Sequence, residues 1–198
     1  MASLASEVKI ANLALTSLGA DRIIALDEDS ENARKVNAVF DLIRDEVLRA
    51  HVWNFALERR EFGQLATAPL YEYSYAYQIP GDVLRIRKSE TGYEVFVIEG
   101  DQVLTNEGTF NCLCIVRVTD VTKWTTDFVT AFAARLAAEL AYSIADSNSL
   151  AQQKWDEYKM KIRQVRASGA QEGSQVELQA NEWLEARSSG QNYPLAGA

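Results

Sequence analysis

Tyr71-Glu72-Tyr73-Ser74-Tyr75-Ala76-Tyr77-Gln78-Ile79-Pro80-Gly81-Asp82 sets a tyrosine at every second position and then breaks at Ile-Pro-Gly. Period-two alternation belongs to β-strands, where alternate side chains share a face, and Pro-Gly is a turn signal. Short β-type runs follow at 83–87, 93–98, 103–105 and 110–119. They are separated by the turn signals Thr91-Gly92, Glu99-Gly100-Asp101 and Asn106-Glu107-Gly108. Short strands with tight turns predict an antiparallel sheet or small sandwich. On both sides of this block the chain reads helical, so the expectation is a helical body interrupted by a β insert.

Upstream, a first helix is expected over residues 4–18. Val8, Ala11, Leu15 and Leu18 lie on one side and Ile10, Leu13 and Ala14 on the other, with Gly19 as a left-handed C-cap. A short helix apolar nearly all round is a buried one. The acidic run Asp27-Glu28-Asp29-Ser30-Glu31 reads as a helix start, with Asp29 or Ser30 as cap. It has no internal turn glycine, so a metal loop is the weaker reading. The second helix spans about 31–50, where Val36, Val39, Phe40, Ile43 and Val47 keep helical spacing between charges that include Arg34, Asp41, Arg44 and Asp45. His51, Trp53 and Phe55 are expected to lock its end to the core. Glu58-Arg59-Arg60-Glu61 reads as a solvated mixed-charge segment.

Downstream, a third helix is expected at about 125–145. Phe128, Phe132, Leu136, Leu140 and Ile144 recur every fourth residue, with alanines between them that let neighbours approach. Ser149 and Gln152 fit a capping box for a fourth helix. Its stripe is Trp155, Tyr158, Ile162 and Val165, and Ser168-Gly169 is its expected end. The last thirty residues are polar but carry Trp183, Leu184, Tyr193 and Leu195. They read as an arm that orders on a partner, the alternative being a short amphipathic helix folded back on the body.

The chain of 198 residues is 47% hydrophobic and 24% charged, ordinary for a globular protein. A net charge of −8 argues against general phosphate-backbone binding, since no cationic surplus displaces counterions. It leaves open a protein that DNA slides past, because a conduit needs a repulsive or neutral lining that does not hold the strand. Cys112 and Cys114, two apart in a strand, read as small buried apolar residues. His51, the single histidine, lacks an assignable nucleophile or orienting partner and reads as a packing residue. The tyrosines admit three readings: a packed strand face, a platform for sugars, or one for bases. Glu72 is the only charge within the ladder, whereas base platforms come with basic grooves, so packing is favoured. No signal peptide or membrane span is expected, and synthesis in a cytoplasm is.

In order, the chain carries Leu18-Gly19, Trp53-Asn54-Phe55, Tyr75-Ala76-Tyr77-Gln78-Ile79-Pro80-Gly81-Asp82, Glu99-Gly100-Asp101-Gln102-Val103-Leu104-Thr105-Asn106, an aromatic-alanine helix and Trp183 to Arg187. Together these resemble the tail tubular protein A family, the head–tail adaptor or gatekeeper of short-tailed bacteriophages. The resemblance implies a virion-tail protein made in the host cytoplasm. It would form a ring of twelve copies between portal and tail nozzle, with tail fibres at the side and DNA passing through the lumen unbound. It implies no cofactor, no metal and no catalytic residue. The arm residues Trp183, Leu184, Arg187, Tyr193, Pro194 and Leu195 become the candidate portal-facing set.

The expected fold is α+β: a four-helix bundle body (1–70 and 119–168), an antiparallel β insert (71–118) and an extended C-terminal arm (169–198). The tyrosine ladder is expected to be the seam between insert and body. A carbohydrate hydrolase is the alternative, because that chemistry needs only two suitably spaced carboxylates; the sequence nominates no pair. A monomeric binding module is the third class.

Overall fold

The computed structural model describes residues 6–90 and 96–172. The fold is α+β, with four helices and two three-stranded antiparallel sheets. The chain divides into two compact units, Met1–Val165 and Arg166–Ala198. The elements described here belong to the first, apart from the last turns of the fourth helix.

Helix α1 (Glu7–Ser17) starts at Ser6, whose side chain accepts the Lys9 N–H. It ends in a Schellman motif: Ala20 N–H donates to Leu15 O and Gly19 N–H to Thr16 O. Gly19 sits at φ +72°, a conformation that costs a residue with a Cβ. Ile10, Ala11, Ala14 and Leu15 are buried, but Leu13 is 54% exposed, so the helix is not covered all round. Helix α2 (Glu31–Ala50) is capped by Ser30, which accepts the Ala33 N–H. Val36, Phe40, Ile43 and Val47 make its buried face.

Helix α3 (Thr126–Ala145) is the central one. It packs against both α1 and α2, and twelve of its 20 residues are buried. By length and composition it could cross a membrane, yet 67% of its apolar window is buried inside protein, as in the core helix of a globular body. Its N-cap is Thr125, and Asp146 ends it in the left-handed region at φ 46°.

Helix α4 (Asn148–Glu172) differs from expectation at both ends. Ser147, not Ser149, accepts the Leu150 N–H at 3.3 Å. The helix also continues through Ser168-Gly169, because one interior glycine costs only about 1 kcal/mol and does not by itself stop a helix.

The β part begins earlier than residue 71. Strand β1 (Leu57–Glu61) contains the segment read from sequence as solvated, and it pairs antiparallel with β6 (Asn111–Val116) from Leu57↔Ile115 to Glu61↔Asn111. Its other charged residues stay exposed while Leu57 and Arg60 are half-buried. An edge strand with one wet face needs no apolar run. The first sheet is completed by β3 (Val83–Ser89) on the far side of β6, with two register shifts.

The second sheet has the order β2 (Tyr75–Gln78), β5 (Gln102–Thr105), β4 (Phe96–Glu99). β4 and β5 join through Gly100-Asp101, with Gly100 at φ +62°, a two-residue turn of the kind that suits strand twist. The beginning of the run expected from residue 93 lies outside the described residues.

The tyrosine ladder is a strand only in its second half. β5 is four residues long and offers partners for residues 75–78 alone. Before that the chain turns: Tyr73 N–H donates to Tyr71 O at 2.8 Å, and Glu72 takes φ +70°. Tyr77 is 2% exposed, and its hydroxyl donates to Glu107 O. Phe110 sits between the sheets, with ring centroids 5.5 Å from Phe62, 5.8 Å from Tyr77 and 5.2 Å from Phe96.

Tyr77 therefore packs within the β part while Tyr71 is exposed, and the seam to the helical body is made by two tryptophans. Trp53 precedes β1 and Trp124 follows β6, and each indole N–H donates to a carbonyl six residues back, Val47 O and Val118 O. Both rings meet Phe128 of α3 edge-on, at 5.0 and 4.8 Å. The two chain crossings between the parts are thus pinned to one aromatic residue. Flat rings carrying one N–H suit such a junction, because they bury area while satisfying a loop carbonyl.

Candidate functional site

The arm residues Trp183, Leu184, Arg187, Tyr193, Pro194 and Leu195 lie outside the described residues. The other candidates raised by sequence can be placed. His51 follows α2, half-buried, its ring 4.8 Å from Trp53 in an edge-on contact. Cys112 and Cys114 are buried free thiols. Burial and the neighbouring Cys114 push the Cys112 thiol up to about 12, the opposite of what a nucleophilic thiolate requires.

In the acidic run, Glu28 closes a local loop: it accepts from Ile24 N–H, Ala25 N–H and Ser30 Oγ. Those bonds, the Ser30 hydroxyl first, lower its carboxyl below the ordinary range. Among the described residues no group of three or more His, Cys, Asp or Glu is arranged to hold a metal ion.

A cleft of about 470 Å³ opens on the first sheet, lined by Arg59, Glu61, Lys88, Glu90, Asn111 and Leu113 among others. Asn111 on the central strand stands opposite Glu61. On its other side it donates Nδ2–H to Glu90 Oε2 at 2.9 Å and accepts the Glu90 N–H. The two glutamates flank it across two strand spacings, roughly 10 Å between backbones. Both are exposed, and a glycosidic general acid needs a desolvated carboxyl. As it stands, this cleft is a charged surface rather than an acid–base pair.

Two surface features are apolar instead. The loop between β1 and β2 carries Leu70, 99% exposed, and Tyr71, 79% exposed. It overhangs a cavity of about 630 Å³ floored by Ala76, Gln102 and Leu104 on the outer face of the second sheet. Leu65 N–H and Gly63 O bond to β2 and fix the loop's root. On the helical body, a hollow of about 660 Å³ lies between α1 and α3, lined by Ile10, Leu13, Thr16 and Val129, with Lys9 and Arg22 also on its wall. A smaller hollow of about 130 Å³ continues from Leu13 and Ser17 over Ala133, Ala134 and Ala137 of α3. Asn12 steadies this region by bonding both the N–H and the C=O of Ile23, each at 2.8 Å.

Single exposed apolar residues are normal on a globular surface. An exposed Leu-Tyr pair on a loop rooted to a sheet, together with an apolar hollow elsewhere, is the arrangement of an interaction surface. In the sequence the loop is marked by Thr67-Ala68-Pro69, a helix breaker just ahead of Leu70-Tyr71. Its exposure depended on β5 being too short to pair it.

No protein-family model matches the chain, and no curated protein matches it.

Proposed function

We infer that the chain is a structural assembly protein: the ring-forming head–tail adaptor of a short-tailed bacteriophage. Copies of it encircle the DNA path between portal and tail nozzle and anchor tail components, with the arm residues Trp183 to Leu195 turned to the portal. The observation that carries this reading is the ordered set of motifs along nearly the whole chain, led by residues 75–82.

Tyr77, Gln78, Pro80 and Asp82 of that segment each have a structural task, which suits a scaffold marker. Tyr77 fills the sandwich. Gln78 Nε2–H donates to Asp101 at 3.0 Å, and Val83 N–H closes the turn onto Pro80 O. Asp82 takes the Arg60 guanidinium at 2.8 Å, and its carbonyl accepts the Arg117 N–H. The charge of −8 is compatible with a lumen that does not hold DNA. The exposed Leu70-Tyr71 pair and the hollow on α1 and α3 are surfaces that an oligomer would cover.

The test is to mix the purified protein with its portal, measure the mass of the assembly and image it. A ring of copies seated on the portal is the expected result. A protein that stays monomeric and ignores the portal overturns the adaptor reading. Reducing-end release from host polysaccharide, sustained and abolished by one carboxylate substitution, would overturn a purely structural role.

A further inference from the structure

Leu70-Tyr71-Glu72 and the hollow beside Leu13 are complementary in chemistry. The loop offers two large exposed apolar side chains followed by a carboxylate. The hollow offers an apolar wall of Ile10, Leu13 and Val129, with Lys9 and Arg22 beside it. Neither Glu72 nor Arg22 makes an ion pair among the described residues. The hollow, about 660 Å³ and open to solvent, is large enough to receive a compact apolar group.

The two features sit on different elements of one chain, the loop on the outer face of the second sheet and the hollow on α1 and α3. The loop also turns tightly just after the pair. Glu72 occupies the left-handed region without being glycine, and the Tyr73-to-Tyr71 bond tightens the turn. A non-glycine residue in that region is uncommon and persists where its surroundings hold it.

We propose that Leu70-Tyr71 of one copy inserts into the Leu13 hollow of a second copy of this chain, with Glu72 facing Arg22. A contact between two unlike surfaces of identical chains is heterologous. The pair then keeps a free hollow on the first copy and a free loop on the second, and repetition closes a ring or runs on as a filament. The inference deepens the adaptor reading by naming the surfaces between neighbours, and it rests on that reading.

The experiment uses the full chain with Tyr71→Cys, the introduced thiol carrying a photoreactive benzophenone. Cys112 and Cys114 are buried, so labelling goes to the new site. This protein is mixed with an isotopically heavy, otherwise unaltered copy and irradiated, and the adducts are mapped by peptide mass. The expected adduct joins the light loop to heavy peptides containing Leu13 or Val129. Arg22→Glu in the heavy copy should cut its yield about tenfold, and Glu72→Arg in the light copy should restore it.

Adducts to the heavy copy's own 65–73 loop, to its residues 173–198, or to no heavy peptide overturn the proposal. Native mass measurement on the same mixture separates the two levels of inference. Oligomers without an adduct at the hollow remove this contact and leave the ring standing, whereas the ring itself falls only by the portal experiment.

Discussion

Arg135 lies on α3 and is only 6% exposed, a charge in the interior that alanine-rich periodicity gave no reason to expect. Its guanidinium is bonded to Glu46 of α2 at 2.9 and 3.0 Å and to Glu139 at 2.8 Å, and it lies 4.2 Å from the Trp155 ring of α4. One side chain thus ties three helices together. Arg135→Ala should cost about 2 kcal/mol, below the full penalty for a broken buried pair, because both glutamates keep access to water. Arg135→Met, which fills the same space, should cost less. Urea midpoints give the order, and a red-shifted tryptophan emission in the alanine variant would report exposure of Trp155. Equal losses in both variants would contradict this account.

At the same scale, Cys112 makes stability fall in alkali. Its thiol ionises near 9 when unfolded and near 12 when folded, first through burial. The folded state therefore binds this proton more tightly. The contribution is complete below pH 9 and is lost as pH rises from 9 towards 12. Burial raises Tyr77 in the same direction. Between pH 9 and 11, Cys112→Ala should show a flatter fall in urea midpoint than the unaltered protein, although it starts from a lower value. Parallel slopes would count against the assignment.

At the scale of elements, the ends of α2 and α3 were legible because their caps are local, whereas α4 starts and stops elsewhere than expected. Asp29 and Ser30 were both candidates to start α2, and the structure gives the task to Ser30. Asp29 is solvated and, among the described residues, pairs with Arg34 at the surface. Ser30→Ala should cost about 1 kcal/mol, and Asp29→Ala at most a few tenths. Thermal unfolding of the two variants decides the matter, and a larger loss for Asp29 would reverse the assignment.

The strands were less legible. β1 reads Leu-Glu-Arg-Arg-Glu, with neither alternation nor β-branched residues. It is a strand because β6, distant in sequence, offers an open edge. Arg44, one of the charges set between the apolar positions of α2, is only 6% exposed. It is held there by Asp41 and Asp45, and Asp45 in turn reaches Arg117 beyond β6 at 2.7 Å.

For the whole molecule, the residues beyond α4 fall in the second of the two units. Ending the chain after Glu172 should leave one cooperative unfolding transition at nearly the original midpoint, while abolishing portal attachment. A truncated protein that loses its near-ultraviolet tryptophan signal would show that residues 173–198 belong to the core. Retained portal binding would move the portal-facing role away from Trp183, Leu184, Arg187, Tyr193, Pro194 and Leu195.

The sequence by itself determined the α+β class, the position of α2 and α3, the Gly19 stop and the Gly100 turn. Each depends on a short-range periodicity or on a backbone angle that one residue type allows. Only the tertiary structure decided that Leu57–Glu61 is a strand, that the tyrosine ladder breaks at Glu72, and that Trp53 and Trp124 share Phe128 as their anchor. Those outcomes depend on which distant segment supplies an edge, a ring or a counter-charge, and no local pattern encodes that partner. The exposed Leu70-Tyr71 pair belongs to the same class: its residues were visible in the sequence, but its availability follows from where β5 stops.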